Sequence, residues 1–232
     1  MDSSHGYSSR QRHEASERMP RHHHLHGYAA LVLSGGYIEA GDGGRIAAEP
    51  GDVLFHDAFD AHRDLFSAAG AEILNMPLSA VPPFAAGRCA DPDAIARLAE
   101  CNSVATSAAL LEQTIECRAG LSEWPDLLAA DLKRGPLRLA AWADEHRLAP
   151  ATVSRGFRLA YGVSPQRYRL EVRASAAARS IARGAVIAEA SFATGFADQP
   201  HLSRTLRSLY GKTPRQLRPT VKCVQESGRR AG

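Results

Sequence analysis

A chain of 232 residues, 44% of them hydrophobic, holds one large or two modest domains with cores of their own. With no apolar run near the ~20 residues that span a bilayer, no apolar signal-peptide core and four scattered cysteines (Cys89, Cys101, Cys117, Cys223), the sequence argues against a membrane span, a secretory leader, a zinc ribbon and a disulfide framework, and for a cytoplasmic protein. Residues 137–232 carry 17 Lys+Arg against 6 Asp+Glu, a net of +11, while residues 1–136 hold 11 basic and 19 acidic residues, a net of −8, so two domains with different partners are expected, the basic one facing a polyanion.

Residues 1–20 (MDSSHGYSSRQRHEASERMP) are polar, lack apolar periodicity and predict a disordered arm. Residues 21–85 change character. Tyr28-Ala29-Ala30-Leu31-Val32-Leu33, Gly36-Tyr37-Ile38-Glu39, Asp52-Val53-Leu54-Phe55 and Glu72-Ile73-Leu74-Asn75 have strand composition. Gly35-Gly36, Gly41-Asp42-Gly43-Gly44 and Pro50-Gly51-Asp52 separate them, the rhythm of a small all-β sandwich or barrel. Eight of the ten histidines fall in residues 1–62. Read as a strand, His24-Leu25-His26 puts two imidazoles on one face.

Leu33-Ser34-Gly35, then Pro50-Gly51-Asp52-Val53-Leu54-Phe55 and His62, resemble the cupin barrel found at the front of AraC-type regulators. The resemblance implies an effector-sensing barrel in which His24, His26 and His62 converge, a set suited to zinc, nickel or iron. The chain departs from the cupin pattern in two places. Ala29-Ala30 stands where the first motif has a carboxylate, and Asp57 and Phe59 replace the Pro and Gly of the second. His56 or Asp57 could supply a fourth ligand. A metal-free pocket for an organic effector, a degenerate barrel, or a polar edge formed by His22-His23-His24 stand as alternatives.

Pro82-Pro83 opens a break that runs to Pro92. Over residues 93–134, Ile95, Leu98 and Ala99, then Leu110, Leu111 and Ile115, predict one long or two shorter helices, with another around Trp124, Leu127, Leu128 and Leu132. They serve either as a dimer interface, as in the proteins this chain resembles, or as a cover for the barrel. Gly135-Pro136 marks a boundary.

From residue 135 to 219 the pattern is helical. A helix over Leu137–Ala143, a turn through His146–Pro150 and a helix over Thr152–Arg158 form one helix-turn-helix, and a longer helix from about Pro165 to Arg183 follows. The plan then repeats. Ser154-Arg155-x-Phe157-Arg158 matches Ser203-Arg204-x-Leu206-Arg207, and Gly162-Val163-Ser164-Pro165 matches Gly211-Lys212-Thr213-Pro214, both at an offset of 49 residues. In the second copy Asp198 is an N-cap, Pro200 sits in the first turn, and Leu202, Leu206 and Leu209 define a buried face.

Gly195-Phe196-x-Asp198, Leu202-Ser203-Arg204 and Gly211-x-Thr213-Pro214-x-x-x-Arg218 resemble the AraC/XylS-type DNA-binding domain, two helix-turn-helix units joined by a central helix. The resemblance places Ala151, Ser154 and Arg155 in base-facing positions of the first unit and Gln199, Pro200, Ser203 and Arg204 in those of the second. Arg158 is outward too, on the backbone side. Arg pairs bidentately with guanine and Gln with adenine, each worth about 1–3 kcal/mol of discrimination. The first unit departs from the family, with Arg147 where the turn has Gly and Ala149 where Ser or Thr caps the helix. Residues 220–232 predict a disordered tail.

The expected fold class is therefore α+β multidomain: a small cupin-like β-barrel, linker or dimerisation helices, and an all-α double helix-turn-helix domain. The expected function is a sequence-specific transcription regulator that senses a small molecule or metal, acts as a homodimer on double-stranded promoter DNA, and meets RNA polymerase if it activates. It is expected not to be an enzyme. A metal-dependent cupin enzyme tethered to a DNA-binding domain is the alternative. A methyl-accepting DNA-repair protein would need a reactive cysteine motif that Cys89, Cys101 and Cys117 do not offer.

Overall fold

The computed structural model describes residues 8–101, 103–116 and 120–218. Residues 1–7 of the expected arm, Cys117, Cys223 and the expected tail lie outside them. The rest of the polar N-terminal stretch is structured. Strands β1 (Ser9–His13) and β2 (Arg18–His23) pair antiparallel with the two halves of one long strand, β6 (Ala61–Pro77). Pairing, rather than apolar content, orders this stretch, because β6 offers a complete row of backbone partners.

The remaining strands are β3 (Tyr28–Gly41), β4 (Gly44–Ala48), β5 (Asp52–His56), β7 (Ala86–Cys89) and β8 (Thr114–Glu116). The two apolar runs at 28–33 and 36–39 belong to one strand, bent where its register against β6 shifts between Val32 and Ser34 and between Gly35 and Tyr37. Gly35 has φ +71°, and a Cβ there would collide with the Gly70 carbonyl, so the bend requires glycine.

The expected cupin-like barrel is not formed. The strand order is an open path, β1-β6-β3-β5-β7-β8, with β2 also on β6 and β4 also on β3. Closure would need the two ends of that path to pair. Instead β1 and the short β8 stand at opposite ends, and the second half of β3 also pairs with β4 while the first half of β6 also pairs with β2.

The segment after the sheet divides in two. Helices α1 (Pro92–Ala99), capped by Asp91 accepting from the Ala94 N–H at 2.9 Å, and α2 (Ser103–Gln113) bury Ile95 and Leu110 against Leu31, Val53, Leu74 and Met76 of the sheet. Helix α3 (Trp124–Arg134) packs elsewhere, its Leu128 and Leu132 joining Trp142, Phe157 and Tyr161.

Those residues come from α4 (Leu139–Glu145) and α5 (Pro150–Tyr161), the first helix-turn-helix. Helix α6 (Pro165–Ala182) leads to α7 (Ile187–Ala193) and α8 (Gln199–Tyr210), the second, and to α9 (Pro214–Leu217). The turns are built alike: the Leu148 N–H bonds the Ala143 carbonyl, and the Phe196 N–H bonds that of Ser191. Gly195 has φ +71° and Arg147 has φ +53° at matching places, so the first unit carries a side chain where the backbone favours glycine. The second turn is one residue longer, which shifts the offset from 48 there to 49 in the helices. Asp198 caps α8, accepting the His201 N–H at 2.6 Å, whereas Ala149 gives α5 no side-chain cap.

Sheet and helices share cores. Ala40 of β3 is buried among the α3–α6 side chains, and Phe59 among Ile181, Leu202, Leu206 and Tyr210.

Candidate metal centre and DNA-facing helices

Three neighbouring strands build a polar site. In the β2–β6 register His22 opposes His62, and in the β3–β6 register Glu39 opposes Asp64. Paired residues share a face and residues two apart share it again, so His22, His62, Asp64 and Glu39 point the same way. His56, the last residue of β5, opposes Tyr28 of β3 and stacks on its ring at 4.3 Å. His24 lies just past β2, fixed by its N–H to the Asp60 carbonyl and its own carbonyl to the Phe59 N–H.

The contacts are short. His24 Nε2 and His62 Nε2 face each other at 2.9 Å, and the Tyr28 hydroxyl lies 3.2 and 3.0 Å from them. The other nitrogen of His62 is 3.0 Å from Asp64 Oδ1 and 3.3 Å from Glu39 Oε2. His56 Nε2 is 3.4 Å from the same Glu39 oxygen. Glu39, His56, His62 and Asp64 are all buried.

Charge is concentrated on one ring. Burial opposes protonation of His62, but Glu39 and Asp64 outweigh it and hold the group up at about 10. Burial, then the charge on His62, pushes His24 down to about 2, and the same causes lower His22 and His56. A metal needs neutral imidazoles, the form that His22, His24 and His56 are held in, whereas His62 would have to give up its proton to the cation.

Two groups here have ligand atoms within 4.8 Å of one another: His22, His24 and His62, and Glu39, His56 and His62. Apart from these 3.3–3.4 Å approaches to His62 and to each other, Glu39 Oε2 and His56 Nε2 are buried without a hydrogen-bond partner among the described residues, which fits groups built to hold something else. His62 keeps one nitrogen on a carboxylate, as an oriented metal ligand does, and turns the other toward His24 and Tyr28. The cluster is therefore capable of holding a divalent cation.

The structure thus brings His24 and His62 together but not His26, which is exposed on a bend and in neither group. The reason is Leu25, which leaves the sheet for the helical core around Phe59 and ends the alternation expected of a strand. Asp57 lies 3.6 Å from Arg179 and 3.8 Å from Arg183, at α6 rather than in the cluster. Glu39, Asp64 and Tyr28 were not anticipated. Their signal is a carboxylate at period two in strands that are otherwise apolar, Glu39 two residues after buried Tyr37, and Asp64 two before Phe66.

The opposite face of the same strands meets the helices. Between His22 and its neighbours, Arg21 donates to Glu171 of α6 at 2.7 Å and to Asp42 at 3.0 Å, and His23 packs on Tyr210 of α8. Beside His62, Arg63 donates to the Leu159 carbonyl of α5 at 2.7 Å. Arg179 of α6 reaches Asp60 at 2.6 Å, and the Tyr210 hydroxyl donates to the Phe59 carbonyl. One strand's thickness separates the histidine cluster from the helix-turn-helix units.

On those units Ala151, Ser154, Arg155 and Arg158 are exposed along α5, and Gln199, Pro200 and Arg204 along α8, with Ser203 half-buried. Among the described residues none of Arg155, Arg158 and Arg204 is ion-paired. Val153, Phe157, Leu202 and Leu206 fill the buried faces.

A family model described as a helix-turn-helix domain matches residues 142–220. No curated protein matches the chain. Among solved structures, the C-terminal domain of AraT, a response regulator from Geobacillus stearothermophilus, is 20% identical over 42% of this chain and 84% of that one, with a TM-score of 0.38. An AraC-type transcriptional regulator from Chromobacterium violaceum is 26% identical over 39% of this chain and 84% of its own, at a TM-score of 0.36. Apo ToxT from Vibrio cholerae covers 90% of this chain and 94% of its own at 12% identity and a TM-score of 0.39. The C-terminal helix-turn-helix region is similar to AraC-type regulators, and a cluster able to hold a divalent cation lies beside it. Among the described residues no helix is long and apolar enough to cross a membrane.

The expectation of a chain without enzymatic capacity is corrected by the cluster. Neutral imidazoles, buried carboxylates and a phenol within 3.2 Å of ligand atoms are groups that acid–base or metal-assisted chemistry uses.

Proposed function

We propose that the chain is a sequence-specific transcription regulator in the cytoplasm, whose affinity for promoter DNA depends on a divalent cation held by the sheet. The observation that carries the reading is the alternation along β2, β3 and β6. Residues of the cluster (His22, Glu39, His62) interleave with residues that grip the helices (Arg21, Ala40, Arg63). A ligand change on one face moves the same backbone that positions the other.

His22, His24 and His62 would hold the cation, with Glu39 and His56 as a second set sharing His62. Nitrogen-rich donors with one carboxylate favour zinc, nickel or iron over calcium or magnesium. Bound there, the cation supplies a fixed positive charge and ties strands β2, β3 and β6 together. On DNA, Ser154, Arg155, Gln199, Ser203 and Arg204 read bases in successive major grooves about 34 Å apart. A homodimer is part of the same proposal, and exposed Leu111 of α2 and Ile115 of β8 are the contacts to test for it. RNA polymerase is a partner if the output is activation.

The test is elemental analysis of the purified chain, before and after dialysis against a chelator, beside His62→Ala and Glu39→Gln. Stoichiometric zinc, nickel or iron in the wild type, lost in His62→Ala, supports the reading. Metal content that is negligible, or equal in all three proteins, contradicts it.

A further inference from the structure

We infer that His62 bridges two divalent cations, one on each ring nitrogen, the first also held by His22 and His24 and the second by Glu39 and His56. This deepens the cation site of the proposed function and rests on it. The competing arrangement is one cation on one of the two sets.

The two nitrogens of an imidazole diverge in the plane of the ring, and on His62 each meets a different set. Nε2 faces His24 Nε2 at 2.9 Å, with the Tyr28 hydroxyl at 3.0 Å. Nδ1 faces Glu39 Oε2 at 3.3 Å and Asp64 Oδ1 at 3.0 Å. Only the His62 ring is common to the two sets, so filling one leaves the other complete. With Zn–N bonds of ~2.0–2.1 Å on either side of the ring, the ions would lie about 6 Å apart. That is wider than the ~3.5–4 Å of hydrolytic two-metal sites.

Each set is prepared for its own ion. His22 Nδ1 donates to the Pro20 carbonyl at 2.9 Å, which leaves Nε2 as the ligand atom. On the other side, Glu39 and His56 are each 4% exposed. Glu39 Oε2 and His56 Nε2, 3.4 Å apart, find no hydrogen-bond partner among the described residues beyond their approaches to each other and to His62. A cation held by His22 and His24 alone would leave these two buried atoms unaccounted for. Gly41 of β3, the register partner of His62, makes the room. A Cβ there would come within 3.1 Å of His62 Cβ and 3.2 Å of Glu39 Oε1, so glycine lets ring and carboxylate meet.

The charges suit two ions. Each cation replaces one ring proton of His62, and the bridging ring becomes an imidazolate. Glu39, Asp64 and that ring set three negative charges against the four of two dications, in a site where both carboxylates are buried. A cation on Nε2 alone would leave the two carboxylates facing a single N–H.

The test is the metal content and spin coupling of the full chain, with accessible thiols such as Cys101 blocked by iodoacetamide. After equilibration with zinc and gel filtration, the wild type should retain two equivalents, and His22→Ala and His56→Ala one each. With copper(II) in place of zinc, the two spins of the wild type should pair through the imidazolate. The low-temperature paramagnetic resonance signal of isolated copper is then lost, and it should return in full in His22→Ala, which keeps one ion. His22 is only partly buried, so this variant decides the matter should His56→Ala not fold. One equivalent in the wild type would overturn the bridge and leave the cation reading standing; none would overturn both. Two equivalents of copper with the undiminished signal of isolated ions, or two equivalents retained in His22→Ala, would also overturn the bridge.

Discussion

Glu171 is the best place to test whether sheet and helices form one structure. Its side chain is 3% exposed and receives Arg21 of β2 at 2.7 Å and Arg167 of its own helix at 2.6 Å. Arg21 is 4% exposed. Removing one partner of a buried ion pair costs about 3–5 kcal/mol, because the other charge is left buried. Arg21 retains Asp42 at 3.0 Å and the Ala40 carbonyl at 3.2 Å, so the lower end, about 3 kcal/mol, applies to Glu171→Leu. For a chain of this size that lowers Tm by roughly 6–12 °C. The assay is urea unfolding of wild type, Glu171→Leu, Arg21→Leu and the double variant, followed by tryptophan fluorescence and far-ultraviolet circular dichroism to check that the transitions coincide. The double variant should cost about 2 kcal/mol less than the two single costs together. Additive costs, or a Glu171→Leu cost below about 1 kcal/mol, would refute a buried pair joining β2 to α6.

Three further outcomes follow from the same geometry. Arg147→Gly should stabilise the chain by up to about 1 kcal/mol in thermal unfolding, since φ +53° is strained for any residue with a Cβ; a loss of stability would contradict the turn. Asp126 is lowered from the usual carboxylate range: burial raises it, but bonds from Arg45, the Glu123 N–H and Tyr161 prevail. Its contribution is present above the unfolded value and lost as pH falls through the lower folded one, so Asp126→Asn should flatten the acid limb of the stability–pH curve. Arg204→Ala should relax operator specificity more than Arg155→Ala in competition binding, because α8 is capped by Asp198 and α5 has no side-chain cap. Equal effects or the reverse order would sink that asymmetry.

The helical half was the more legible part of the sequence. Its repeats sit at a fixed offset, and its caps, proline starts and left-handed stops (Gly162, Gly211) are local signals that need no distant partner. The sheet was legible as strands but not as a topology. Whether β8 returns to β1 depends on pairings across the whole segment, and the barrel inferred from Pro50-Gly51-Asp52 and His62 was wrong for that reason. Likewise His24 and His62 stood out as residues, while Glu39 and Asp64 became partners only through the register of β3 on β6. His26 misled because the alternation it relied on ends when Leu25 turns into the helical core.

If the histidine cluster and the helix-turn-helix units are coupled through the strands they share, as proposed, metal at one changes DNA affinity at the other. The most direct measurement is the affinity of the chain for its operator at fixed salt, with and without stoichiometric zinc, in wild type and His62→Ala. Metal should change the wild-type Kd by at least about fivefold, the lower end for coupled sites, while His62→Ala should be indifferent to it. A wild-type Kd unmoved by metal that is demonstrably bound would contradict it.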